Sequence, residues 1–385
     1  MMKKTLIATA VASAFSLNAF ADGHVSVGGY AATGFEFGDS ETGSVETDGK
    51  TAPRGGNTTL SINASNDLDN GSQSYVSLTF TTDPTIAADR VSMRAGRVGL
   101  RGDFGDVAWG MGEMVYEVGQ IIDPHIADFS GNSLSHTSVA GGLFNFTRID
   151  SNVLIYNMNQ IGVVKPTLVY GYGAGDEVTG DGSGDGSVNG ATYDDSTLIL
   201  ALDYNNGAGL NVQFAHAAYA DVSPTSGYSE TAATAAGASD ATGNRITASY
   251  DTGGYIIKGT YQRLELDHAA ATTEYTNTNY DGKTIKRDTM YLSLIIPVAT
   301  GRIGAGYGTA DDASIDGVSL NESGSKVYSL SYQYDLSANT YLFARFAKTS
   351  NDAQWQAHGT TAAAIANVGA ENSTTSQIIG LKVSF

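Results

Sequence analysis

Four carboxylates stand close together without a Lys or Arg among them: Glu113, Glu117, Asp123 and Asp128, with the next such residue at Arg148. Upstream lie Arg97 and Arg101, on the polar side of an alternating segment. Acids on one element facing guanidinium groups on another build an electric field across a gap, which sorts ions; they do not by themselves make or break bonds. Groups suited to bond chemistry are scarce. His24, His125, His136, His216, His268 and His358 show no H-x-x-x-H or H-E-x-x-H spacing, and there is no G-x-S-x-G elbow or phosphate-binding G-x-x-x-x-G-K-[ST] loop. Cysteine is absent, which removes thiol chemistry. No catalytic constellation and no cofactor site emerges, and enzymatic activity is not expected.

The acidic segment spans 113–147 and also carries Val115, Tyr116, Val118, Ile121, Ile122, Ile126, Phe129, Leu134, Leu143 and Phe144. A solvated loop has no use for that much apolar surface, so it should pack against something. Inside a barrel it would lie on the inner wall and narrow the lumen. An external cap or an interface loop is the alternative. In the inward arrangement Glu113, Glu117, Asp123 and Asp128 form an acidic side of a constriction, and Arg97, Arg101 and Arg148 a basic wall. Arg54, Arg94 and Lys258 are further wall candidates.

The elements that must position these groups are strands. Period-two alternation recurs along the chain, and helical periodicity is nearly absent. Leu198, Leu200, Leu202 and Tyr204 share a face opposite Thr197 and Asp203. Val98, Leu100 and Phe104 lie opposite Arg97 and Arg101, and Leu342, Ala344 and Phe346 opposite Arg345. Sixteen such segments are expected, near 24–37, 57–67, 73–82, 92–104, 105–112, 147–158, 163–173, 195–205, 208–219, 244–252, 254–266, 288–298, 301–311, 325–335, 338–349 and 376–385. Most are about ten residues, the length a tilted strand needs to cross a bilayer. Tight turns such as Asp103-Phe104-Gly105, Asn205-Asn206-Gly207 and Ala299-Thr300-Gly301 alternate with long polar loops. Short turns on one side and long loops on the other describe a membrane barrel; a soluble β-sandwich gives no reason for strict alternation. The expected fold is all-β: a 16-stranded antiparallel transmembrane barrel with both termini on the periplasmic side and an inward-folded third long loop. Tyr170, Tyr172, Tyr204, Tyr250, Tyr255, Tyr332, Tyr334 and Phe385 fall near strand ends and suit aromatic girdles.

The beginning of the chain reads as an export signal over 1–21: Lys3 and Lys4, an apolar run from Leu6 to Leu17, and Ala19-Phe20-Ala21 as a cleavage site. The barrel domain then covers 22–385. No later stretch approaches about 18 consecutive apolar residues, so no helix is expected to span a membrane. A net charge of −19 argues against nucleic acid as a partner and favours cations nearby. The stretch from Asp176 to Asp195, with its Gly-Asp-Gly spacing, reads as a solvated acidic loop, a weak divalent-cation site being the other reading.

Arg97-Val98-Gly99-Leu100-Arg101-Gly102-Asp103-Phe104-Gly105-Asp106-Val107 resembles the strand–turn–strand signature of Gram-negative general diffusion porins, in particular the Rhodobacter-like porins of α-proteobacteria. Leu381-Lys382-Val383-Ser384-Phe385 resembles their terminal strand, and Arg148-Ile149-Asp150-Ser151-Asn152 the strand after the constriction loop. The Pro-Glu-Phe-Gly-Gly element of enterobacterial constriction loops is missing; Phe129-Ser130-Gly131-Asn132 is its nearest counterpart. The resemblance implies a homotrimer in the outer membrane, in contact with lipid and lipopolysaccharide, through which small polar solutes and ions diffuse passively. The charge census gives that pore a cation-leaning expectation. A substrate-specific channel and a non-transport barrel or secreted adhesin are the competing readings.

Overall fold

Alternating apolar and polar residues bounded by turn formers produce one continuous sheet, which closes on itself. The computed structural model describes residues 23–42, 45–48, 52–55, 58–82, 92–113, 149–171, 196–222, 239–268, 283–352 and 372–385. Every regular element among them is a strand. In chain order these are β1 (Gly23–Thr42), β2 (Val45–Asp48), β3 (Ala52–Gly55), β4 (Thr58–Asp67), β5 (Gln73–Thr82), β6 (Ser92–Gly102), β7 (Gly105–Glu113), β8 (Ile149–Asn157), β9 (Val164–Gly171) and β10 (Thr197–Asn205). There follow β11 (Leu210–Val222), β12 (Ser239–Asp251), β13 (Ile256–His268), β14 (Thr284–Val298), β15 (Gly301–Ala310), β16 (Ser314–Ile315), β17 (Val318–Ser319), β18 (Ser325–Ser337), β19 (Thr340–Asn351) and β20 (Asn372–Ser384).

Sixteen of these are staves of a closed antiparallel barrel, each paired to its chain neighbour. The four short strands extend the rim: β2 and β3 pair with the outer half of β1, and the β16–β17 hairpin continues the sheet beside β14. The seam is closed by β1 against β20, from Tyr30↔Ser384 to Thr42↔Asn372. Beyond it the Phe385 backbone exchanges two hydrogen bonds of 3.0 Å with Gly29. All sixteen expected segments are found. Several run further toward the long-loop side than expected: β1 reaches Thr42, β12 begins at Ser239 and β14 at Thr284.

The tight connections, with both chain ends of the barrel, lie on one rim. Gly105 shows why its turn is so short. It adopts φ +105°, and a Cβ there would stand 2.5 Å from the Asn157 carbonyl oxygen, so only glycine fits.

Alternation sets the two faces. Val98, Leu100, Trp109, Leu330 and Ile379 point outward and are largely exposed. An apolar outer belt of this kind is stable only against lipid. Tyr170, Tyr250, Tyr255, Tyr332, Tyr334 and Phe385 are exposed with them, as a girdle requires, and Tyr204 is half-buried; Tyr172 lies outside the described residues. The inner face is uneven. From β7 to β11 it is apolar and buried: Ala108, Val153, Ile155, Val169, Ile199, Ala201, Ala215 and Ala217 form one cluster. From β14 to β20 it is polar and glycine-rich. There Tyr291 lies across β15, where a Cβ on Gly306 would meet its Oη at 2.1 Å, and its hydroxyl is 3.0 Å from Ser329 Oγ.

Candidate functional site

The inner wall of the barrel is the surface any permeating solute meets. On the β6–β7 hairpin, Arg97 stands opposite Gly110 and, on β5, opposite Ser77. It faces inward and is half-buried. Arg101 also faces inward, but one residue from the turn, opposite Asp106 and Gln73. The two arginines therefore sit at different heights, four residues or roughly 13 Å apart along the strand.

A polar chain surrounds Arg101. Its Nε donates to Gln73 Oε1 at 2.6 Å, and Gln73 Nε2 donates to Asp67 Oδ1 at 2.6 Å. Its guanidinium lies 5.5 Å from the centroid of the Tyr75 ring, and Tyr75 Oη donates to Asp106 Oδ1 at 2.6 Å. Tyr75 can lie flat because its neighbour is Gly99, where a Cβ would stand 2.5 Å from the ring. Asp67, Gln73, Arg101 and Asp106 line a hollow of about 500 Å³ with Asn157 and Lys165 at the turn-side mouth.

The acidic half of the expected constriction is mostly out of view. Glu113 is the last residue of β7, its backbone paired with Ile149, at the long-loop end. Glu117, Asp123, Asp128 and Arg148 lie outside the described residues, as does the expected signal segment. The backbones of Arg54 and Arg94 are in strands β3 and β6, and Lys258 faces inward on β13 beside Thr260. Arg101 is separated from the level of Glu113 by seven residues of β7, roughly 23 Å, whereas Arg97 is within about 10 Å of it along the strand.

Three wall arginines were not among the expected site residues. Arg245 on β12, Arg287 on β14 and Arg345 on β19 all face inward and are buried. Arg245 Nη1 donates to Gln262 Oε1 at 3.3 Å, and Arg287 Nη2 to the Ser323 carbonyl at 3.2 Å. Arg345 shares a row with Ile378 and Glu36 across the seam. Glu36 faces inward, is 8% exposed, and accepts a 2.8 Å hydrogen bond from Ser376 Oγ. The sequence signal was present for Arg245 and Arg345, which alternate with outward apolar residues. Arg287 lay outside the segment expected to be a strand. Among the described residues no three His, Asp or Glu side chains gather as a metal-ligand group.

Comparison with known proteins agrees with this geometry. The family profile of the Gram-negative porins matches residues 8–354. Curated protein sequences give no match. Among solved structures, the anion-selective porin from Comamonas acidovorans superposes with a TM-score of 0.68 at 18% identity, over 94% of this chain and 100% of that one. OmpT of Vibrio cholerae, in its trimer form, gives 0.63 at 15% identity over 94% and 100%. Salmonella typhi OmpF in complex with daunomycin gives 0.61 at 11% over 94% and 97%. At such identities the likeness is one of fold. Together with the family match and the lipid-suited outer belt, it makes this chain a member of the Gram-negative porins, a β-barrel channel of the outer membrane.

Proposed function

We propose that the barrel is a general diffusion pore for small hydrophilic solutes and ions, narrowed by the 113–147 segment folding inward. One observation carries the second part. Val153, Val169 and Ile199 face the lumen yet are 0% exposed, and apolar side chains on the wall of a water-filled pore need a cover. The apolar residues of 113–147 supply one of matching chemistry. That placement brings Glu117, Asp123 and Asp128 into the lumen opposite Arg97, Arg148 and the buried arginines of β12, β14 and β19.

The preference is cation-leaning, because the chain carries 40 acidic against 21 basic residues and its long loops are acidic. The wall arginines Arg97, Arg245, Arg287 and Arg345 favour the second reading, anion preference. Charges more than about 8 Å from the permeating ion are screened at physiological ionic strength, so the groups at the narrowest section decide. Reversal potential across a planar bilayer in a salt gradient tests this. Asp123→Asn with Asp128→Asn should lower cation preference and Arg148→Ala should raise it. An anion-preferring unmodified pore would give control to the wall arginines. Conductance that saturates with one solute would make the pore substrate-specific. The assembly is a homotrimer in this reading; the small outward residues Gly29, Ala31 and Ala64 allow barrels to approach closely.

A further inference from the structure

Two pairs of opposite charges stand side by side at the turn-side mouth without joining. Arg101 on β6 faces Asp106 on β7 directly across the ladder, and Lys165 on β9 faces Asp203 on β10 in the same way. All four side chains are on the lumen face. Cross-strand partners have Cβ atoms roughly 4.5–5.5 Å apart, within reach of an ion pair. Neither pair forms one among the described residues. Neutral neighbours hold three of the groups instead. Arg101 donates from Nε and Nη2 to Gln73 Oε1, Asp106 Oδ1 accepts from Tyr75 Oη at 2.6 Å, and Asp203 Oδ1 accepts from Gln213 Nε2 at 2.7 Å. Lys165 is exposed and makes no hydrogen bond among the described residues.

Tyr75 keeps the first pair apart. The guanidinium lies 5.5 Å from its ring centroid, while the carboxylate is held at its hydroxyl end. Arg101 Nη1 and Asp106 Oδ2 are thereby left to a solute. The hollow of about 500 Å³ contains Arg101, Asp106 and Lys165, and a second of about 320 Å³, lined by Lys165, Asp203 and Gln213, adjoins it at Lys165. Both sizes are ordinary for small-molecule sites, about 300–1,000 Å³. The charges also select. A simple anion drawn to either base meets a carboxylate beside it, and a simple cation drawn to either acid meets a base. A molecule carrying a carboxylate and an ammonium on one carbon satisfies both groups of a pair at once.

We propose that Arg101–Asp106 and Lys165–Asp203 are two neighbouring binding stations for the zwitterionic head of an α-amino acid, its carboxylate on the base and its ammonium on the acid. The proposal deepens the diffusion-pore reading, resting on it for the arrival of solutes at this mouth.

The test uses the full barrel folded in detergent, titrated with L-alanine, N-acetyl-L-alanine or L-alaninamide and read by ligand-observed NMR. L-Alanine should bind at least about tenfold more tightly than either blocked form, the difference expected from one hydrogen bond between charged groups. Arg101→Gln with Lys165→Gln should reduce L-alanine to the affinity of L-alaninamide. Asp106→Asn with Asp203→Asn should reduce it to that of N-acetyl-L-alanine. Lys326→Gln, on the outer face of β18, should change nothing. Single-channel conductance steps in potassium chloride verify that each variant is folded. Equal affinity for the three ligands overturns the proposal, as does a preference that survives both double variants. Tighter binding of N-acetyl-L-alanine than of L-alanine would make the mouth an anion site and overturn the zwitterion assignment. Binding is measured without flux, so a barrel that binds L-alanine yet conducts nothing would refute the diffusion-pore reading and leave the stations standing.

Discussion

Tyr291 allows the construction of the inner wall to be tested quantitatively. It faces the lumen yet is fully buried, because it lies across the glycines of β15. A Cβ on Gly306 would stand 2.1 Å from its Oη. Gly306→Ala therefore drives a methyl group into a phenol that cannot retreat without losing Ser329 Oγ at 3.0 Å. Overpacking of this kind costs about 1–3 kcal/mol. Tyr291→Phe removes the hydroxyl alone, about 1 kcal/mol, and Tyr291→Ala removes the ring, about 3–5 kcal/mol. In the Tyr291→Ala background the nearest atom to the new methyl group is the rotatable Ser329 Oγ, 2.6 Å away. Its cost should then fall below about 0.5 kcal/mol, a coupling of about 1–3 kcal/mol between the two positions. Urea unfolding of the barrel in lipid vesicles measures all four states. Fluorescence of the outward-facing Trp109 reports on it in a Trp355→Phe background. An equal cost of Gly306→Ala in both backgrounds would refute the reasoning, because the backbone and not the tyrosine would then require the glycine.

Two further outcomes follow from the wall geometry. Arg97→Gln should move the reversal potential toward cations, whereas Arg101→Gln, exposed at the turn-side mouth, should move it less than half as far; equal shifts would contradict the difference in height. Gly105→Ala forces a β-carbon into positive φ and against the Asn157 carbonyl. It should cost about 1–3 kcal/mol in the same urea titration, and a turn that tolerates the change would remove the steric argument.

The staves were legible in the sequence because a lipid-facing strand must alternate. Leu198, Leu200 and Leu202 against Thr197 and Asp203 leave little choice of face. The alternation fades where strands rise above the lipid. On β13 and β14 the outward residues there are Arg263, Glu265, Lys286 and Asp288, polar where a lipid-facing strand would be apolar, while Leu264 and Ile285 face inward, so the starts of β12 and β14 were placed too late. The short strands β2, β3, β16 and β17 escaped notice for the same reason: Asp316-Gly317 closes a hairpin too short to show a period. Both faces of β10 are apolar, since Ile199 and Ala201 face inward between outward leucines. This buried inner patch could not be anticipated from a rule that assigns the inner face to water. The wall arginines of β12 and β19 were visible as polar-face residues. Their burial depends on what stands across the lumen, which no single strand encodes.

The seam between β1 and β20 constrains how such a chain is made. Every stave but these two finds both of its partners next to it in sequence, so hairpins can assemble as they become available. The first stave must wait, one long edge bare, for the last. A chain that stops anywhere short of Asn372–Ser384 keeps two unpaired edges, however many staves it has built. It cannot seal itself against lipid. Completion is therefore all-or-none, and a barrel with an intact outer belt has necessarily received its final strand.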